Sequence, residues 1–161
     1  MASLGEAETK MNKKKPILFV EDDRVDAMAA RRAFKEINVP NEVIIVSTGE
    51  EALSFLKDEN TQKPGVVVLD LNMPRMNGLE FLKIIKQDEV LKTIPVVVLT
   101  TSDEERDIIE SFSWSVAGYM VKPAEYAKFV EVLRIITRYW TLSKLPSSNI
   151  TPSEQYQMPT Q

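Results

Sequence analysis

The chain contains no cysteine and no histidine among its 161 residues. Without cysteine there are no disulfides and no thiol chemistry. Without histidine the chain has no histidine general base and cannot carry a phosphohistidine of its own. A zinc site built from these two residue types is excluded as well, so any metal bound here must be a hard cation held by oxygen atoms.

Long hydrophobic runs and a basic surface are also missing. No segment approaches the roughly 18 apolar residues that a membrane span needs. The short apolar run 17–20 follows three lysines, but the core of a signal peptide needs about 7–15 such residues. The net charge of -4 does not favour nucleic-acid binding, which usually requires a basic surface. The sequence therefore predicts a cytoplasmic protein that binds neither a membrane nor, directly, nucleic acid.

The length suits one domain with tails. We expect residues 1–14 to form a flexible N-terminal arm or an expression leader, and residues 15–140 to form the domain. Residues 141–161 are rich in Pro, Ser, Thr, Asn and Gln, a composition that cannot bury enough apolar surface to fold. They are predicted to be a disordered tail, too short to be an added output domain.

Within the domain, short apolar runs alternate with helical patterns five times. The predicted strands are 17–20, 42–47, 65–70, 96–100 and 117–121. The predicted helices are 24–38, 50–59, 79–87, 104–113 and 124–140. Continuous apolar runs in strands one, three and four are typical of a parallel sheet covered by helices on both faces. Right-handed crossovers then give an α/β fold with a single, doubly wound, five-stranded parallel sheet and five helices.

Charged and polar residues stand at the carboxyl ends of these strands, where doubly wound sheets bind their ligands. They are Glu21 and Asp22 after strand one, Asp70 and Asn72 after strand three, Thr100 at the end of strand four and Lys122 after strand five. A pair of carboxylates 4 Å apart repels by on the order of 4 kcal/mol at an effective dielectric constant near 20. Positive charge must therefore compensate them. Lys122 supplies one charge, and a divalent cation would supply two.

Magnesium suits such a site, because it prefers oxygen ligands and keeps several waters. The predicted ligands are Asp22, Asp70 and the backbone carbonyl of Asn72, with Glu21 acting through water. A metal, a lysine and a hydroxyl around one carboxylate predict phosphoryl transfer, in which Asp70 is the nucleophile. The product would be an acyl phosphate on Asp70.

Four motifs in the same order resemble those of two-component response regulator receiver domains, which share a flavodoxin-like (βα)5 fold. They are "VED" at 20–22, "LDLNMPRMNG" at 69–78, "VVVLTTS" at 96–102 and "YMVKP" at 119–123. Thr100 follows Asp70 by 30 residues and Lys122 follows it by 52, as in chemotaxis-type receivers. The resemblance covers about residues 15–140. Finer features, "IPVVVLTTS" and the "YW" and "LP" near the end of the domain, resemble stand-alone receivers that partner bacterial phytochromes.

The resemblance implies a role for each matching residue. Asp70 would be the phosphoacceptor, and Glu21 and Asp22 the acidic pair around Mg²⁺. Thr100 would turn toward the phosphoryl group, Lys122 would pair with it, and Tyr119 would be the aromatic switch. A cis peptide bond between Lys122 and Pro123 is implied as well.

The implied function is that of a single-domain response regulator. A sensor histidine kinase, of phytochrome-like type, would supply the phosphoryl group, and protein–protein contacts would pass the signal on. Such a protein catalyses only its own phosphorylation and dephosphorylation. It is therefore not an enzyme in the ordinary sense.

The last predicted helix carries more apolar surface than one buried face needs. Its first stripe, Phe129, Val130, Leu133, Ile136 and Trp140, should face the sheet. A second stripe, Val132, Ile135 and Tyr139, lies beside it, and such a wide apolar surface predicts a partner. We expect a homodimer through this helix, with folding of the tail over the stripe as the alternative.

Two other functions are compatible with parts of the pattern. An aspartate-nucleophile phosphohydrolase would need an acidic residue two positions after Asp70, where this chain has Asn72. A phosphate-independent pseudo-receiver usually lacks one of the acidic, threonine or lysine positions, and all of them are present here.

Overall fold

The computed structural model describes residues 15–145. Its strands are β1 (Ile17–Val20), β2 (Val43–Val46), β3 (Val66–Leu69), β4 (Val96–Thr100) and β5 (Gly118–Val121). Its α-helices are α1 (Arg24–Ile37), α2 (Gly49–Lys57), α3 (Gly78–Gln87), α4 (Glu105–Ser113) and α5 (Tyr126–Leu142). A short 3-10 helix, Leu91–Thr93, precedes β4.

All five strands are parallel and lie in one sheet in the order β2-β1-β3-β4-β5. Alternate residues of the central strands point to opposite faces, as the pleat requires. One face packs on α2 and α3 through the cluster that includes Leu18, Val67, Leu56 and Phe81. The other packs on α1 and α5 through the cluster that includes Phe19, Val68, Phe34 and Leu133. The predicted doubly wound fold is confirmed.

The first helix begins as the sequence predicts. Asp23 is its N-cap, and the Asp23 side chain accepts a hydrogen bond from the N–H of Asp26. This bond satisfies one of the N–H groups that the first turn leaves without a helical partner. The cap matters for the site, because it fixes how the chain passes from the acidic end of β1 into α1.

The structure differs from the predicted boundaries at the end of the domain. Helix α5 continues through Thr141 and Leu142, which the sequence assigned to the tail. Leu145 then packs within 3.1 Å of the position that a Cβ on Gly65 would occupy. The predicted arm, and the tail from residue 146 onward, lie outside the described residues. No helix between residues 15 and 145 has the length and apolar character needed to cross a membrane.

Candidate functional site

The strand register brings the charged strand ends together. Val20 of β1 is opposite Leu69 of β3, so the next residues along the two strands, Glu21 and Asp70, leave the sheet side by side. The N–H of Asp70 donates to the carbonyl of Val20 at 3.1 Å. At the other edge, the N–H of Lys122 donates to the carbonyl of Thr100 at 2.7 Å. Backbone pairing of the sheet therefore sets the spacing of the site.

Three carboxylates meet at this edge. Glu21, Asp22 and Asp70 each offer one oxygen atom, and these oxygens lie within 4.8 Å of one another. Glu21 and Asp70 are buried, whereas Asp22 is half-buried. The predicted acidic ligands are thus brought together. Asn72, the fourth predicted ligand through its carbonyl, lies in the following loop, and its N–H donates to Oδ1 of Asp70 at 3.2 Å.

Lys122 is the positive group of the site. Its side chain is only 7% exposed, and its Nζ lies 2.5 Å from Oε2 of Glu21, 2.9 Å from Oδ2 of Asp26 and 3.4 Å from Oδ2 of Asp70. Burial alone would lower the pKa of this ammonium, but the hydrogen bonds that it donates to Glu21 and Asp26 and the negative charge of Asp70 outweigh burial and raise the pKa. Lys122 is therefore a permanent cation at neutral pH.

The surroundings of Glu21 change the pKa of its carboxyl group. Burial and the negative charge of Asp70 raise its pKa from 4.5 to about 7, against the opposing effect of the hydrogen bond from Lys122. Desolvation favours the neutral form of a buried acid. The single positive charge of Lys122 thus does not fully offset the free-energy cost of ionising every carboxyl group of this cluster.

Asn72 joins the phosphoacceptor candidate to the end of β4. While its N–H contacts Asp70, its side-chain Nδ2 donates to Oγ1 of Thr101 at 3.1 Å and to Oγ1 of Thr100 at 3.4 Å. The Thr100 side chain is fully buried and Thr101 is exposed. Asn72 therefore bridges Asp70 and the predicted hydroxyl of Thr100, through its N–H and its side-chain amide respectively.

Tyr119 is half-buried and lies apart from the carboxylates. Its hydroxyl donates to the carbonyl of Ser102 in the β4–α4 loop at 2.8 Å. This bond ties β5 to the loop that follows Thr100. In addition, the peptide bond before Pro123 is trans, as is every other peptide bond between residues 15 and 145, so the implied cis bond is wrong.

The second stripe of α5 is only partly free of the core. Ile135 is 53% exposed and Tyr139 is 64% exposed, and Leu142, which was not part of the predicted stripe, is 67% exposed. Val132 is half-buried and packs against the cluster under α1 and α5. The exposed apolar face of α5 is therefore Ile135, Tyr139 and Leu142. The sequence included Val132 because helical spacing alone does not show how far the core extends.

The sequence missed one charged residue of the site, Asp26. The predicted site residues do not include it, yet its carboxylate contacts Lys122. The available signal was only its place as an acidic residue in the first turn of α1, which does not show that its side chain reaches Lys122.

A five-stranded parallel sheet with an acidic cluster and one buried lysine at its carboxyl edge defines a class of signalling domain. The model for the response regulator receiver domain matches residues 17–134, and the chain belongs to this family. The usual role of these domains is to be phosphorylated by a histidine kinase. They are signalling proteins rather than classical enzymes.

Individual proteins point to the phytochrome-linked branch of the family. Response regulator Rcp1 from Synechocystis sp. is 38% identical over 133 residues, covering 80% of this chain and 90% of Rcp1. The solved structure of the phosphorylated cyanobacterial phytochrome response regulator RcpA superposes with a TM-score of 0.77 at 37% identity, covering 83% of this chain and 99% of that one. The Mn²⁺-bound form of Rcp1 gives a TM-score of 0.76 with the same identity and coverage. The resemblance to phytochrome-type response regulators is confirmed.

Proposed function

We propose that this chain is phosphorylated on Asp70 by a partner histidine kinase of the phytochrome-like type, in the cytoplasm, and that it signals through protein contacts. The observation that carries the assignment is the geometry around Asp70. It is a buried carboxylate with one oxygen bonded to a backbone N–H and the other facing a buried ammonium. Two further acids, Glu21 and Asp22, lie beside it.

The transfer itself needs no proton donor on this chain. A carboxylate oxygen of Asp70 forms a bond to phosphorus while the P–N bond of a kinase phosphohistidine breaks, and the imidazole leaves with the electron pair. Negative charge on the transferred group must be balanced in the transition state. Lys122 supplies part of this balance, since its Nζ already lies 3.4 Å from Asp70.

The donor set fits a divalent hard cation. Glu21, Asp22 and Asp70 offer three carboxylate oxygens within 4.8 Å of one another, and hard cations prefer such ligands. We assign Mg²⁺ to these residues and to the backbone carbonyl of Asn72. When bound, the ion would neutralise phosphoryl oxygens during the transfer.

Phosphorylation would be read out through the end of β4. A phosphoryl group adds about -1.5 to -2 charge and strong acceptor oxygens. Thr100 can donate to these oxygens once it releases its contact with Asn72, and the β4–α4 loop then moves. Because Tyr119 is bonded to this loop at Ser102, it moves with it. The result is a shift between two conformations, limited by the contacts that differ between them.

The two alternative functions are less well supported. A phosphohydrolase would need a second carboxylate at position 72, and Asn72 there donates hydrogen bonds to both threonines. A phosphate-independent module would not need to keep Lys122 buried among three carboxylates, an arrangement that costs desolvation energy.

Labelling by a small phosphodonor tests the assignment. With Mg²⁺ and radiolabelled acetyl phosphate, we expect the wild type to be labelled and Asp70→Asn to take up no label. Asp58→Asn is a matched control, because it removes the same charge in an exposed turn after α2 and an asparagine oxygen can still accept from the N–H of Asn60. Full labelling of Asp70→Asn would reject the phosphoacceptor. Incubation with candidate phytochrome-like kinases then identifies the partner.

We also propose a homodimer through the exposed apolar face of α5. Ile135, Tyr139 and Leu142 are each more than half exposed, and an exposed cluster of large apolar residues favours association. In light scattering at micromolar concentration, Ile135→Glu should give about half the mass of the wild type. Met28→Glu, at an apolar residue of α1 that is 67% exposed, should leave the mass unchanged. A wild-type monomer, or a dimer that survives Ile135→Glu, would contradict the proposal.

A further inference from the structure

Asp26 is a charged residue of the site that lies outside the four sequence motifs. It is the third residue of α1, and its N–H is held by the capping side chain of Asp23 at 2.9 Å. From this position its Oδ2 lies 2.9 Å from Nζ of Lys122, while 41% of its side chain remains exposed. The helix start thus holds a carboxylate against the lysine.

The hydrogen-bond donors of Lys122 are limited. An ammonium has three N–H bonds to donate. Two of them serve the short contacts with Glu21 and Asp26, at 2.5 and 2.9 Å, and the third faces Asp70 at 3.4 Å. Glu21, after β1, and Asp26, at the start of α1, therefore lie closer to the ammonium than the carboxylate that would carry the phosphoryl group.

We propose that Asp26 is a positioning residue that holds Lys122 toward α1 and competes with the phosphoryl group for its N–H bonds. The inference rests on the proposed function and adds a restraint to it. With Asp26 in place, one N–H of Lys122 is left for the phosphoryl oxygens. Without Asp26, two are available. The phosphorylated state is thus less stable with Asp26 present than it would be without Asp26.

Binding of beryllofluoride, which mimics the phosphoryl group on an aspartate, tests this competition. In equilibrium titrations of the full chain saturated with Mg²⁺, we expect Asp26→Asn to bind roughly threefold more tightly than the wild type. A change of this size is in the range expected for a partly exposed ion pair. Asp26→Glu, which restores the charge, should return the affinity toward the wild-type value.

Removing any negative charge near the site also favours an anion, so the control must match the charge. Asp23→Asn removes one charge from the same end of α1 and keeps the cap, because asparagine caps helices as well as aspartate does. Within residues 15–145 Asp23 forms no ion pair with Lys122. Its variant should therefore show only the smaller, long-range effect.

The outcomes separate the inference from the proposed function. Equal affinities in Asp26→Asn and Asp23→Asn, or weaker binding by Asp26→Asn than by the wild type, overturn the positioning role alone. Failure of the wild type to bind beryllofluoride rejects the proposed function, and the inference with it. Tighter binding confined to Asp26→Asn and reversed in Asp26→Glu supports it.

Discussion

The raised pKa of Glu21 predicts an unusual pH dependence of stability in the metal-free protein. Glu21 is 1% exposed, and its carboxyl group titrates near pH 7 in the folded chain instead of near its ordinary value of 4.5. Between these two values the folded state holds a proton that the unfolded state releases. Stability from this group is therefore fully present below pH 4.5 and is lost as the pH rises through 7.

The size of the effect follows from the shift. Each pKa unit corresponds to about 1.4 kcal/mol, so a rise from 4.5 to about 7 represents about 3 kcal/mol. Most of that interval lies between pH 5 and pH 8. The free energy of unfolding should thus fall by roughly 2 to 3 kcal/mol across this range because of Glu21 alone. Such a loss is a large part of the 5–15 kcal/mol typical of a domain.

Urea unfolding at pH 5, 6, 7 and 8 in the presence of a chelator measures the loss. Glu21→Gln, which cannot ionise, should flatten the curve relative to the wild type. Glu59→Gln, at an exposed position after α2, should keep the wild-type slope. Saturating Mg²⁺ should also remove the fall, because a bound cation favours the ionised carboxyl group. Parallel curves for the wild type and Glu21→Gln without metal would refute the reasoning.

Two further predictions concern the surroundings of Asp70. A Cβ on Gly78 would lie 2.4 Å from the carbonyl oxygen of Asp70 and 2.7 Å from Cα of Leu71, so Gly78→Ala should cost about 1–3 kcal/mol in urea unfolding and reduce acetyl phosphate labelling. The control Gly118→Ala, whose new Cβ would have its nearest neighbour 3.9 Å away, should be labelled normally. Equal labelling of the two variants would contradict the argument. Thr101→Ala removes the hydroxyl that accepts from Asn72 at 3.1 Å and opens the approach of water to Asp70. The aspartyl phosphate should therefore decay faster than in the wild type or in Thr101→Ser, as followed by loss of label. An unchanged half-life would show that Thr101 does not shield the phosphate from water.

The sequence was sufficient to predict the fold and the residues that the strand register controls. Parallel pairing places every strand end at one edge, so Glu21 and Asp70 had to meet once β1 and β3 were recognised as neighbours. Lys122 could be placed in the same way from the end of β5. These positions depend on backbone geometry, which local patterns encode well.

The details that the sequence left open depend on side-chain directions and on packing between helices. Asp26 contacts Lys122, which lies 96 positions further along the chain, and no local pattern in α1 indicates a contact with the residue after β5. Val132 is half-buried because α1 and α5 pack closely over the same face of the sheet. Helical spacing shows which residues share a stripe but not how far a neighbouring helix covers it.

The contacts of Lys122 connect the pH dependence of stability with the proposed function. Glu21, Asp26 and Asp70 all contact one ammonium, and Asp22 lies beside two of them, so at neutral pH the site lacks positive charge. A proton on Glu21 and a divalent cation are two ways to supply it, and because ligands bind metal in their ionised form, they exclude each other. Loading the site with Mg²⁺ at pH 7 should therefore release about half a proton per chain, because a carboxyl group with a pKa of about 7 is about half protonated at that pH. The same imbalance leaves Lys122 shared among its partners until a phosphoryl group on Asp70 changes the competition for its N–H bonds.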